Sequence, residues 1–300
     1  IKTLLINIAV GILPTTMLAQ NAIPGYTINT STEASTVSTE YGKVAGYIEN
    51  GIYNYKGIPY AQAERFEEPH APKPWNGVRS SRHYGPTCPQ EFRSMWNMDN
   101  VAFSSQWDDG FPGEDCLRVN IWTPGINDGK KRPVMVWIHG GGFSTGSGQE
   151  QPAYDGASLS KKGDVVIVSL NHRLNALGFL NLSSFGEKYK HSANLGLLDI
   201  VEALKWVKNN IANFGGDAQN VTIFGQSGGG RKVSSLLCMP RAKGLFHKAI
   251  VQSGSGATYM TDKYSRLIGE LTAKNLGLSA ANIDQIKKVP YQQLLEAGTK

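Results

Sequence analysis

Two glycine-rich turns carry residue types that suit acyl chemistry, and each follows a run of strand-forming residues. Residues 225–229 read G-Q-S-G-G and come directly after the β-branched run at 221–224. Residues 139–143 read H-G-G-G-F and follow a similar run at 134–138. A serine on a turn between a strand and a helix can act as a nucleophile, and bare backbone N–H groups can stabilise the negative charge that its attack creates. The two turns together predict acyl transfer, with ester hydrolysis favoured.

Each turn also has a simpler interpretation. G-x-S-x-G recurs by chance as an ordinary turn, but a strand before it and a helix after it favour the catalytic interpretation. The glycines at 140–142 could instead cradle a phosphate, which would need a Lys-Ser/Thr pair and a helix directly afterwards. The residues that follow, Phe143-Ser144-Thr145-Gly146, offer neither. The acyl transfer that we predict needs no cofactor and no metal.

The pattern of apolar residues predicts an α/β fold that can hold both turns. Near-continuous apolar runs are typical of strands buried on both faces of a mostly parallel sheet. Such runs occur at residues 119–122, 134–139, 165–170, 221–225 and 248–252. Residues 199–214 carry an apolar stripe at helical spacing, which Gly215 ends. A helix to about Leu237 is expected after the serine turn, with two or three short helices over 261–298. Helices should cover both faces of the sheet, and residues 41–60 predict a small antiparallel meander.

The charge of the chain is positive but uneven. The 300 residues have a formal net charge of +6, and residues 241–300 hold nine Lys and Arg against four Asp and Glu. Only Lys287 and Lys288 are adjacent in that segment, and no aromatic residues alternate with its basic residues. A solvated helical face explains this charge better than a nucleic-acid interface, so we expect no nucleic-acid partner.

The N-terminus is typical of a secretory signal peptide. Lys2 precedes an apolar stretch over residues 4–19, and cleavage after Ala19 or Ala22 is plausible; we place the signal at 1–22 and the domain at 23–300. A buried apolar strand or helix is the alternative. Export predicts a secreted or periplasmic protein without a stable membrane span once the signal is removed. Three cysteines fit that setting, and Cys238, at the apolar end of a predicted helix, is expected to be a core thiol.

Further motifs accompany the two turns in a characteristic order. They read K-G-I-P-Y-A at 56–61, E-D-C-L-R-V-N at 114–120, N-H-R-L at 171–174, G-L-L-D at 196–199, F-G-G-D at 214–217 and L-F-H-K-A-I at 245–250. With these blocks the chain resembles, from about residue 42 to residue 254, the N-terminal part of a type-B carboxylesterase, in the cholinesterase-like branch of the α/β-hydrolases. The resemblance implies an α/β-hydrolase fold whose C-terminal strands lie outside this sequence.

The resemblance assigns roles to residues of both turns. Ser227 is the expected nucleophile, and the N–H groups of Gly141, Gly142 and Gly228 are the expected oxyanion hole. The substrate would be a small-molecule ester, which reacts through an acyl-serine intermediate. In the family the triad acid and histidine follow the serine, well beyond residue 300, so we expect the 300-residue chain alone to show little or no turnover.

The resemblance also implies contacts that support the site. Cys88 and Cys116 match a disulfide of the family, and closing a loop of this size stabilises a protein by about 3–4 kcal/mol in the chain-entropy model. Two structural ion pairs are implied as well, Arg65 with Glu114 and Arg173 with Asp199.

His247 is the only histidine after Ser227 in this sequence, so it must be tested as the catalytic base. It comes just before the predicted strand at 248–252, whereas catalytic groups in open parallel sheets collect at the carboxyl ends of strands. Five residues at about 3.3 Å each place it about 15 Å from that edge. We therefore expect a surface or structural role for His247.

Two functions from other classes remain as alternatives. One is a non-catalytic, cholinesterase-like binding or adhesion domain, against which the intact serine and glycine loop argue. The other is a different acyl-transfer or lyase reaction on the same fold, which analogy at the level of the fold does not separate from ester hydrolysis.

Overall fold

A computed structural model describes residues 25–90, 110–256 and 258–299 of the protein. The segment interpreted as a signal peptide, residues 1–22, lies outside these described residues and stays a prediction. Within the described ranges, no helix is long and apolar enough to cross a membrane. In the same part of the chain, no group of three or more His, Cys, Asp or Glu residues could hold a metal ion.

The described residues form two sheets and a set of mostly short helices. The strands are β1 (Ile28–Asn29), β2 (Thr36–Thr39), β3 (Gly42–Ala45), β4 (Tyr47–Glu49), β5 (Ile52–Pro59), β6 (Val78–Ser80), β7 (Arg118–Thr123), β8 (Arg132–Ile138), β9 (Val166–Leu170), β10 (Gly216–Gln226) and β11 (Lys248–Gln252). The α-helices are α1 (Thr32–Ser35), α2 (Ala157–Gly163), α3 (Asn175–Phe179), α4 (Leu195–Asn210), α5 (Gly228–Cys238), α6 (Asp262–Asn275) and α7 (Tyr291–Thr299). The central sheet has the strand order β1-β4-β5-β7-β9-β8-β10-β11, and the small sheet has the order β2-β3-β6.

The five predicted strands are all present and form the half of the central sheet that carries the site. β9, β8, β10 and β11 are parallel neighbours, and β7 pairs antiparallel with β9. The carboxyl ends of β8, β10 and β11 therefore meet at one edge of the sheet. Both glycine-rich turns leave the sheet at that edge, which is where open α/β sheets bind ligands.

The antiparallel strands predicted near the N-terminus extend the central sheet, which is mixed as a whole. β4 and β5 form an antiparallel pair that joins β7, while β3 leaves this sheet to pair with β2 and β6. The chain passes from one sheet to the other at Gly46. A Cβ atom at Gly46 would lie 1.9 Å from the backbone oxygen of Asn54, so only glycine fits there. The meander predicted over 41–60 is thus divided between two sheets.

Helices cover both faces of the central sheet, as predicted. Trp122 and Ile167 pack with Ala157 of α2 on one face. The alternate strand residues, such as Val168, belong to the large core that includes α4 on the other face. The predicted stripe is fully buried; its members are Ile200, Ala203, Leu204, Val207, Ile211 and Phe214. Gly215, at φ 77°, ends the last turn as expected.

The prediction that Cys238 is a core thiol is wrong. Cys238 is exposed at the end of α5, and the neighbouring Leu237 is 57% exposed. β11 is the outermost strand on this side of the described sheet, and Ile250 on it is 43% exposed. Cys238 and Leu237 therefore lie on an exposed side of α5 in the described structure.

Candidate active site

Ser227 occupies the sharp turn between β10 and α5. Its backbone angles, φ 55° and ψ −121°, lie in a region that residues other than glycine rarely adopt, and such strain is typical of functional sites. The conformation is held by two hydrogen bonds: the Ser227 N–H donates to the carbonyl oxygen of Gln252 at 2.8 Å, and the Arg231 N–H donates to the Ser227 carbonyl at 3.0 Å. The residue is exposed, so its hydroxyl is open to a substrate.

Glycines beside Ser227 allow the strand, the helix and the neighbouring β8 to approach closely. A Cβ atom at Gly229 would lie 2.0 Å from the backbone oxygen of Ile138, and one at Gly225 would lie 2.6 Å from the carbonyl carbon of Gly229. Neither gap admits a side chain. The G-x-S-x-G spacing is therefore a packing requirement of this turn as well as a means to expose the serine.

The triple-glycine loop lies against the same turn. A Cβ atom at Gly228 would lie 2.2 Å from the backbone oxygen of Gly142, so these two backbones are in contact. Gly141 and Gly142 have φ values of 80° and 64°, which glycine adopts without strain. Both are exposed, and in the described part of the chain their N–H groups donate to no acceptor. The structure thus brings the predicted residues Ser227, Gly141, Gly142 and Gly228 together.

Bonds within the loop fix its shape. The N–H groups of Ser144 and Thr145 donate to the Gly141 carbonyl at 3.3 and 3.1 Å, and the Thr145 hydroxyl donates to the same oxygen at 3.2 Å. This carbonyl is therefore directed into the turn, which leaves the N–H side of the loop free. Free, fixed N–H groups are what an oxyanion requires.

A substitution at Gly141 tests this arrangement. A Cβ atom there would lie 2.3 Å from the Thr145 carbonyl oxygen, and the positive φ disfavours alanine. We expect Gly141→Ala to lower kcat for ester hydrolysis by the complete protein about 10²–10³-fold, the usual effect of losing one oxyanion donor. Gly129→Ala is the matched control, because Gly129 has φ 75° with nothing within 4 Å of the added carbon. An equal loss of kcat in both variants would contradict the assignment.

Two stacked histidines lie beneath the loop. His139 and His172 are fully buried, with ring centroids 4.9 Å apart and planes 16° from parallel. Each Nδ1 is bonded to a backbone carbonyl, of Gly140 at 3.0 Å and of Arg173 at 2.8 Å respectively. Burial, reinforced by the nearby charge of Lys232, holds the pKa of both imidazoles well below the usual range. Both rings are thus neutral supports for the loop.

No histidine in the described residues hydrogen-bonds to the Ser227 hydroxyl. His247, the candidate from the sequence, is fixed at the opposite end of the sheet. Its N–H donates to the Val221 carbonyl at 2.8 Å, and its Nδ1 lies 3.2 Å from the Val221 N–H. Six residues of extended strand between Val221 and Ser227 span about 20 Å. The prediction that His247 has a structural role agrees with this geometry.

Both predicted ion pairs form. Arg173 donates to the fully buried Asp199 from its Nε at 2.9 Å and from an Nη at 2.7 Å. Arg65 donates to Glu114 through two nitrogens. The same Arg173 side chain donates to two backbone carbonyls of residues 64 and 67. It therefore ties the segment at 61–67 to α4, a structural role.

Cys88 and Cys116 are buried beside each other. Both are free thiols in the structure, so the predicted disulfide is not formed there. A hydrogen bond with Cys88, together with burial, raises the pKa of the Cys116 thiol well above its usual value. The two side chains are thus close enough to interact directly.

Lys232 lies near the site and is not among the site residues predicted from the sequence. It lies on α5, five residues after Ser227, and is 0% exposed. The sequence does contain a pattern that indicates its burial. Gly229, Val233 and Leu236 form the buried stripe of α5, and position 232 falls on this stripe. A lysine on a core stripe is unusual, since burial of an ammonium group is costly.

An apolar cavity of about 430 Å³ opens beside the triple-glycine loop. Its lining includes Phe143 at the end of the loop, Phe179 of α3, Ile268 of α6 and Leu295 of α7. Such a surface suits the apolar acyl or alcohol group of an ester.

The fold and the geometry at Ser227 together define the structural class of the protein. A sheet covered by helices on both faces, with a strained serine between strand and helix, is the α/β-hydrolase fold with its nucleophile turn. The chain belongs to the carboxylesterase family, whose sequence profile matches residues 33–300.

Individual relatives agree with that membership. The chain is 45% identical over 266 residues to para-nitrobenzyl esterase of Bacillus subtilis, covering 87% of this chain and 52% of the relative. It superposes with a TM-score of 0.85 on an esterase from Clostridium hathewayi that can hydrolyse aliphatic aromatic polyesters, at 45% identity over 91% of this chain and 54% of that one. It is also 33% identical to mouse neuroligin-3 over 318 residues, covering 89% of this chain and 37% of that protein. The chain thus spans about half the length of the esterases it matches.

Proposed function

We propose that the protein containing this chain hydrolyses small-molecule carboxylic esters through an acyl-enzyme on Ser227. The observation that carries the proposal is the exposed, strained Ser227, whose neighbour Gly228 is in backbone contact with Gly142. In the described part of the chain, the N–H groups of Gly141 and Gly142 donate to no acceptor. Family membership and the similarity to esterases support the same reaction.

The proposed reaction has two balanced steps. The Ser227 oxygen attacks the ester carbonyl, its proton passes to a histidine, and the N–H groups of Gly141, Gly142 and Gly228 stabilise the oxyanion. The oxyanion collapses, and the alcohol leaves with the proton from the histidine. Water then attacks the acyl-serine in the same way and releases the carboxylic acid. We propose that this histidine and its acid partner come from outside the 300 residues, since no histidine in the described residues hydrogen-bonds to the Ser227 hydroxyl.

Hydrolysis of p-nitrophenyl esters by the complete protein, followed by release of p-nitrophenolate, tests the reaction type. Absence of turnover, together with no labelling of Ser227 by a fluorophosphonate, would favour the alternative of a non-catalytic binding or adhesion domain. The similarity to neuroligin-3 makes that comparison worthwhile. Against it, the described site keeps both the serine and the three glycines.

We further propose that the protein is secreted or periplasmic and that Cys88 and Cys116 form a disulfide there. Support comes from the N-terminal sequence pattern and from the contact between the two buried thiols. With the exported protein denatured but not reduced, we expect a thiol reagent to label Cys238 and neither of the other two. Labelling of all three cysteines would contradict the disulfide, and an N-terminus that retains residues 1–22 would contradict the signal peptide.

A further inference from the structure

Lys232 contacts both ends of the loop that carries the proposed oxyanion donors. Its Nζ donates to the backbone carbonyl of His139, the first residue of the loop, at 3.3 Å. The same Nζ lies 5.4 Å from the centroid of the Phe143 ring, at the other end of the loop. No other lysine in the described residues is as deeply buried. One side chain from the nucleophile helix thus spans residues 139–143 from beneath.

The triple-glycine loop needs contacts that fix its conformation. Three consecutive glycines leave the backbone free to adopt many conformations, and an oxyanion hole works only if its donors are fixed in advance. The carbonyl of His139 belongs to the peptide plane that leads into Gly140, so fixing that oxygen orients the start of the loop. The bonds to the Gly141 carbonyl fix its far side.

The position also argues for a role beyond packing. An apolar side chain would fill the same space on the core stripe of α5 without the cost of burying an amine. The facing groups offer little compensation: His139 and His172 are neutral, their Nε2 atoms are buried without a protein partner in the described chain, and only Glu150 brings an opposite charge.

We propose that Lys232 is a positioning residue for the oxyanion hole: its ammonium group holds the His139 carbonyl and places a positive charge beneath the loop that receives the negative charge of the transition state. The proposal rests on the ester hydrolysis proposed above. The positive charge of Lys232 stabilises the substrate oxygen only in the transition state, where that oxygen is negatively charged. Loss of the lysine charge should therefore lower kcat and leave KM nearly unchanged.

The charge of Lys232 gives the proposal a pH signature. Burial lowers the pKa of this amine to about 7, opposed by the charge of Glu150. In the free enzyme the ammonium form therefore prevails below about pH 7 and is lost as the pH rises through that value. The advantage of the parent over a variant without the charge should be largest at acidic pH and shrink toward alkaline pH. The titration of the catalytic histidine affects both proteins and cancels in their ratio.

The test compares Lys232→Met with the parent in the complete protein, with Lys205→Met, an exposed lysine on α4, as the control for loss of a positive charge. We expect Lys232→Met to lower kcat about 10–100-fold, with KM changed by less than about two-fold. The parent-to-variant ratio of kcat/KM should fall from about pH 6 to about pH 9. Lys205→Met should match the parent throughout.

Other outcomes are informative in a defined way. A kcat for Lys232→Met equal to that of the parent, or a ratio that does not change with pH, would overturn the proposal. If Lys232→Met does not fold, Lys232→Gln keeps an N–H donor without the charge, and the same pH-dependent loss is then required. A parent without esterase activity, by contrast, would refute the proposed function and not this inference alone.

Discussion

Replacement of Ser227 by alanine should lower kcat/KM of the complete protein for p-nitrophenyl esters by roughly 10⁴–10⁶-fold. The serine oxygen is the nucleophile that forms the acyl-enzyme, so its loss removes the covalent route altogether. Only the weak catalysis by the oxyanion donors and by substrate binding would remain. The substitution also relieves little strain, because alanine must adopt the same positive φ of 55°. The folded structure should therefore persist while turnover is lost.

The control for this variant lies on α5, the helix that follows Ser227. The hydroxyl of Ser234 on α5 donates to the carbonyl of Gly230 at 3.2 Å, and Ser234 is partly buried. Ser234→Ala should keep the parent's turnover and its reaction with a fluorophosphonate, and Ser227→Ala should lose both. If Ser227→Ala retains more than about a tenth of the parent's activity, another residue carries the reaction.

The 300-residue chain by itself should hydrolyse p-nitrophenyl esters at a rate roughly 10³–10⁶-fold below that of the complete protein. The described residues bring the serine and the oxyanion donors together, and they bring no histidine to the Ser227 hydroxyl. A serine without a base is a poor nucleophile at neutral pH. Equal turnover by the two proteins would mean that a base is already present, most directly testable by His247→Gln in the short chain.

The same short chain should associate in solution. Leu237 and Ile250 are exposed, and β11 is the outermost strand on this side of the sheet in the part of the chain that the structure describes. An outermost strand with exposed apolar neighbours favours association. Light scattering at increasing concentration measures this. A monodisperse monomer with a cooperative melting transition would contradict it and would also make the activity comparison cleaner.

The geometry of the serine turn could be predicted from the sequence because it depends on local patterns. A glycine-flanked serine after a β-branched run has few packing solutions, and the close contacts at Gly225 and Gly229 are the reason. The apolar stripe at 200–214 could be predicted equally well, since all of its members face the same core. Local periodicity predicts elements well when one face of each element is buried.

Features that depend on distant partners were harder to predict. The division of the early strands between two sheets depends on the contact of Gly46 with Asn54, which no local pattern reveals. The exposure of Cys238 depends on which elements pack against the end of α5, which the apolar neighbours of Cys238 in the sequence do not reveal. Lys232 follows Arg231 in the sequence, and no local pattern separates the two basic residues, yet Arg231 is partly buried and Lys232 wholly buried.

Ester hydrolysis at Ser227 requires that its hydroxyl faces main-chain N–H groups able to hold an oxyanion. The most direct measurement is a crystal structure of the complete protein after reaction with diethyl p-nitrophenyl phosphate. We predict phosphorus bonded to the Ser227 Oγ and a phosphoryl oxygen about 2.7–3.1 Å from the nitrogens of Gly141, Gly142 and Gly228. An adduct on another residue, or a phosphoryl oxygen directed away from those three nitrogens, would contradict the claim.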